Sequence, residues 1–121
     1  MKITRETPTA VTVKSVAPGR IHIGDASYDR AIALTVDAVF ESWPDKAVRD
    51  LDPSDFSELI ELGPELIVLG TGESSIFPPR ELVFAMARLG IGLEVMDTGA
   101  AARTFNVLAA EGREVAAVMY V

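Results

Sequence analysis

The stretch LIVLGTGESSIFPPREL, residues 66–82, decides the fold. Its opening run, Leu66 to Leu69, is continuously apolar, as a strand covered on both faces requires. Two glycines, two serines and two prolines follow. Leu82, Val83, Met86 and Leu89 then recur at i, i+1, i+4 and i+7, a helical apolar face that Gly90 ends. A glycine-rich loop between a strand and a helix can cradle a phosphate or can simply turn the chain. Here the spacing fails both standard nucleotide signatures. Ser75 stands where G-x-G-x-x-G needs its third glycine, and no G-x-x-x-x-G-K-[ST] occurs anywhere. The stretch reads as a strand-to-helix connection whose glycines and prolines serve backbone geometry.

The same alternation continues on both sides. IGLEVM, residues 91–96, is the next strand, and Asp97 or Thr98 caps a helix to about Ala110 with Thr98, Ala101, Ala102, Phe105, Leu108 and Ala109 as its apolar face. Gly112 stops that helix, and EVAAVMYV, residues 114–121, forms the last strand. Upstream, Asp52 with Pro53 starts a helix of roughly ten residues that buries Phe56, Leu59 and Ile60. Strand, helix, strand, helix, strand in that order predicts parallel neighbours joined by right-handed crossovers.

The N-terminal half carries a different period. Val11 and Val13 alternate, the pattern resumes at Val16 after Lys14-Ser15, and Ile21/Ile23 and Ile32/Leu34/Val36 alternate again. With turns at Pro18-Gly19 and Gly24-Asp25, this predicts an antiparallel meander of about four strands. Periodicity leaves open whether the meander forms a second layer or extends the main sheet. Residues 1–9 are polar and read as a flexible tail, and residues 1–121 as a single domain.

Eighteen acids against eleven bases give a net charge of −7, and the eight arginines are scattered, so nucleic acid is not an expected partner. No apolar run reaches the ~18 residues of a membrane span, and the N-terminus lacks a secretory hydrophobic segment. The chain reads as cytoplasmic. With no cysteine and one histidine, thiol chemistry and a Cys/His metal site are excluded, and neither a metal nor a cofactor is expected. His22 alternates with Ile21 and Ile23 and points away from a half-buried sheet.

In open α/β sheets, ligands gather at the carboxyl ends of strands. Gly70, Thr71 and Gly72 end one strand and Asp97 and Thr98 the next, so neighbouring strands would set them across one crevice. Gly99, Arg103 and Asn106 share one helix face by their spacing. A mid-helix asparagine such as Asn106 calls for a specific hydrogen bond, structural before functional. Ser74 and Ser75 lack both a G-x-S-x-G elbow and a histidine base, so no catalytic residue is assigned.

G-T-G, P-P, G-I-G-L-E-V-M-D-T, R-T-F-N-x-L and E-G-R, in that order through residues 66–121, resemble the family known as domain of unknown function 498, with the Mth938-like fold. APGRIHIGDASY and SW in the first half extend the resemblance to about 110 residues. The family takes in small bacterial and archaeal proteins and a mitochondrial assembly factor of respiratory complex I. The resemblance implies a three-layer α/β fold: a mixed central sheet of about five strands, helices on it, and an N-terminal antiparallel β layer. It also marks a cleft lined by Gly70, Thr71, Gly72, Asp97, Thr98, Arg103, Thr104 and Asn106, and supplies no established enzymatic activity. The resulting expectation is a non-enzymatic binding or assembly module that docks a protein partner, linked to respiratory-complex or membrane-protein biogenesis. The alternative is a small-molecule-binding protein or enzyme that holds an anionic ligand in the crevice.

Overall fold

The computed structural model describes residues 11–121, and the expected tail at residues 1–9 lies outside the described residues. The first three strands are β1 (Val13–Ala17), β2 (Arg20–Ile23) and β3 (Ala26–Tyr28). They form a three-stranded antiparallel meander. The register shifts between Val13 and Ser15, a bulge that explains the sequence pattern. One extra residue moves the inward-facing set from the Val11/Val13 phase to Val16.

The predicted four-strand meander divides at this point. β4 (Ile32–Thr35) and β5 (Val39–Phe40) leave the first sheet and join the second, where β4 pairs antiparallel with β8 (Val115–Tyr120). β8 and β7 (Gly92–Met96) flank β6 (Leu66–Thr71) in parallel, giving the order β5-β4-β8-β6-β7. Both alternatives left open by periodicity are thus realised. Three strands make a separate layer, and two extend the mixed sheet.

Between Asp52 and Gly63 the expected helix is a 3-10 turn (Pro53–Phe56) running into α1 (Ser57–Glu61). Asp52 and Asp55 close a reciprocal capping box at its start. α2 (Arg80–Arg88) connects β6 to β7, and α3 (Thr98–Ala110) connects β7 to β8. Alternation along β6 separates two cores. Leu66 and Val68 pack with Ala101, Ala102 and Phe105 of α3 and with Val13, Ile21 and Ile23 of the first sheet. Ile67 and Leu69 pack with Leu59, Leu82, Met86, Phe56 and Trp43 on the opposite face. The molecule is three layers deep: α1 and α2, the five-stranded sheet, then α3 with the meander beside it. Trp43 is core, its ring edge-on to Phe56 at 5.0 Å.

One helical face differs from its prediction. Leu82 and Met86 are fully buried, but Val83 and Leu89 are 37% and 56% exposed. α2 lies mainly over the edge strand β7 and the 3-10 turn, with Leu82 and Met86 reaching the core, so a narrower stripe of it is covered.

Candidate functional site

Because β6 and β7 are neighbours, the loops after them do meet. Gly70, next to last in β6, lies against the first turn of α3, where an added Cβ would lie 2.9 Å from Thr98 Oγ1 and 3.0 Å from Ala101 Cβ. Only glycine lets the helix approach this closely. Gly72 then turns with φ of 102°. Its N–H donates to Thr98 Oγ1 at 2.8 Å, and its carbonyl accepts from the Thr98 N–H at 2.9 Å.

Thr98, 1% exposed, also donates its hydroxyl to the Tyr120 carbonyl at 2.6 Å. One hydroxyl therefore ties the ends of β6 and β8 to the start of α3. Thr71 does the same within the loop. Its hydroxyl contacts the Ser74 carbonyl at 2.6 Å and accepts from the Ile76 N–H at 3.0 Å. Asp97 is the N-cap, accepting from the Ala100 N–H at 2.9 Å.

A pocket of about 260 Å³ remains open beside this network, between the two sheets. Gly72, Glu73, Asp97, Thr98 and Gly99 line one side, Val16 to Pro18 and Tyr120-Val121 the other. Among the described residues, the ionisable side chains lining it are Tyr120 and two acids, Glu73 and Asp97. Of the eight cleft candidates, Gly72, Asp97 and Thr98 reach this pocket, while Gly70 and Thr71 are buried in the junction beneath it. Arg103 lies on the exposed face of α3 and Thr104 contacts Met96 Sδ at 3.4 Å. Asn106 faces β1, donating to the Val13 carbonyl at 2.8 Å and accepting from its N–H at 3.0 Å.

Tyr120 escaped the sequence reading. It lines this pocket and a second of about 530 Å³ with Asp29, Arg30, Trp43, Asp45 and Lys46. Its hydroxyl accepts from Trp43 Nε1 at 3.0 Å and donates to the Lys46 carbonyl at 2.8 Å. Burial holds its phenol above the usual tyrosine value, with the Trp43 bond opposing. Its one visible signal was a polar aromatic closing the apolar run EVAAVM.

A family model described as "Protein of unknown function (DUF498/DUF598)" matches residues 13–120. The chain belongs to the DUF498/DUF598 family. A solution structure from Bordetella pertussis, described as a Mth938-like domain, superposes with a TM-score of 0.79 at 29% identity over 99% of this chain and 92% of that one. The layered architecture described above is thus the Mth938-like fold. The "NADH dehydrogenase [ubiquinone] 1 alpha subcomplex assembly factor 3" of Bos taurus is 31% identical over 95% of this chain. This DUF498/DUF598 member spans 63% of that relative's length. The "13 kDa major membrane protein" of Francisella tularensis subsp. holarctica is 28% identical over 90% of this chain and 89% of its own. Among the described residues, no helix of this family member is long and apolar enough to cross a membrane.

Proposed function

We propose that this protein is a docking module that helps assemble a larger complex. The observation that carries the reading is the outer face of α2. Phe84 stands two residues after Leu82, about 200° around the helix axis at ~100° per residue, so it points away from the core. Phe84 is 55% exposed, and Phe77, just before the helix, is 80% exposed. Solvated aromatics of this size on a small domain favour an interaction surface.

The polar groups at the strand ends support the same reading. The Thr71 and Thr98 hydroxyls hold loops together, which accounts for both without a substrate. The kinship with a complex I assembly factor suggests the client: subunits of a membrane-bound NADH dehydrogenase, met in the cytoplasm before or during membrane insertion.

The second reading, a small ligand at the strand ends, is favoured by the open pocket beside α3's first turn. Its acidic walls weigh against an anion there, although Arg103 Nη1 lies 3.7 Å from where a Cβ on the wall residue Gly99 would stand. Its 260 Å³ lies below the roughly 300–1,000 Å³ of typical small-molecule sites.

The test is affinity capture from the native host with the tagged protein and with a Phe77→Ser, Phe84→Ser variant. The docking reading expects NADH dehydrogenase subunits with the first and their loss with the second, at an unchanged melting temperature. Equal capture by both proteins, or normal levels of assembled complex in a deletion strain, would overturn it.

A further inference from the structure

β7 is one edge of the five-stranded sheet, and among the described residues nothing pairs with its outer side. The Gly92 N–H donates to the Glu65 carbonyl at 3.0 Å, and the Met96 carbonyl faces Thr71 Oγ1 at 3.3 Å. Alternation then directs the Gly92, Glu94 and Met96 backbone toward β6 and leaves the N–H and C=O of Leu93 and Val95 facing outward. The strand runs five residues in unbroken register, with no proline and no bulge. Leu93 and Val95 pack toward the α2 core, whereas Glu94 is exposed on the opposite face.

Such an edge is a template for another strand, and proteins guard it with charge. Glu94 is the one charge on β7. It discriminates between occupants. A second copy pairing antiparallel over all five residues would set Leu93 against Val95 and Glu94 against the Glu94 of the other copy. Like charges directly opposite, at the close ~4.5 Å spacing of a non-hydrogen-bonded pair, are destabilising. A register shifted by two avoids that contact but keeps only three residues of the strand paired. The net charge of −7 opposes self-association further.

We infer that the free edge of β7 takes up an extended segment of a partner protein, apolar on the α2 side and carrying Lys or Arg opposite Glu94. This rests on the docking reading and assigns it a second contact, by strand addition. The adopted strand would bond the outward groups of Leu93 and Val95, with its basic residue meeting Glu94 across the pair.

The test uses the full-length ¹⁵N-labelled protein with two synthetic decapeptides, one alternating Val and Lys, the other Val and Glu. The Val-Lys peptide should slow amide exchange at Leu93 and Val95, binding about tenfold tighter than Val-Glu. Leu93→Pro and Val95→Pro should abolish the effect, because each removes an outward N–H that β6 does not use. Glu94→Lys, an exposed change that keeps the fold, should invert the peptide preference. Equal protection by both peptides, protection only away from β7, or concentration-dependent protection without peptide would overturn the inference. Loss of client capture in the Phe77/Phe84 variant alongside unprotected β7 amides would overturn the edge contact while sparing the docking reading.

Discussion

The side chain of Asn106 grips the backbone of Val13 as a neighbouring strand would, taking its N–H at 3.0 Å and giving to its C=O at 2.8 Å. The two residues lie 93 positions apart, and their contact fastens α3 to the first strand of the meander. A carboxamide offers one acceptor and a donor pair, so it satisfies both backbone groups together. Replacement with Ala or Leu would strand two partly buried polar groups. The Asn106→Ala variant should lose about 2–3 kcal/mol, read as a lowered urea midpoint. Asn106→Asp should recover less than full stability, since its carboxylate has no proton to give the Val13 carbonyl.

Thr98 and Gly70 form the other junction, and there the limits are steric as well as polar. Gly70→Ala would press a methyl against Thr98 and Ala101, whose backbone cannot yield, and should cost about 1–3 kcal/mol in denaturant melts. Thr98→Val keeps the shape and leaves the Gly72 N–H and Tyr120 C=O without their partner. It should be destabilised by a similar ~1–3 kcal/mol, whereas Thr98→Ser should stay near wild type.

Acid should act through Asp52. The Ser54 hydroxyl, then Lys46, hold its carboxyl at about 2, below its ordinary 3.8. A depressed carboxyl stabilises the fold above its unfolded value, and the contribution is lost as pH falls from 3.8 through about 2. Urea midpoints measured from pH 5 to pH 2 should therefore fall more steeply for the wild type than for Asp52→Asn.

Alkali should act through Tyr120, whose burial favours the neutral phenol. Its contribution is complete below the free-phenol value of 10.0 and is lost as pH rises from there through the raised folded value. Absorbance at 295 nm should show a late-titrating component that Tyr120→Phe removes. That variant also deprives Trp43 Nε1 of its acceptor and should lose about 1–2 kcal/mol at neutral pH.

Phe84→Ser should leave stability within about 0.5 kcal/mol, because the ring faces solvent. Differential scanning calorimetry checks this, and a large drop in melting temperature would mean the ring packs in the fold.

Local periodicity carried much of the architecture. The buried run of β6, the Asp97 cap with α3's apolar face, and the phase break at Lys14-Ser15 are decided by neighbours within a few residues, so each was visible in the chain. The need of Asn106 for a specific hydrogen bond was legible too, since the helix interior gives an asparagine no other reason to be there. Its partner was not.

What the sequence by itself determined is most of the elements, the inward faces of β6 and α3, and the lack of a standard nucleotide-loop signature at residues 66–82. Only the tertiary structure decided that β4 and β5 desert the meander for the main sheet and that Thr98 meets both Gly72 and Tyr120. It likewise decided that Val83 and Leu89 stay exposed and that β7 becomes an edge. The physical reason is range. Dihedral preference and side-chain period act over a turn or a strand, whereas strand order and crevice contents depend on which distant surfaces cover one another.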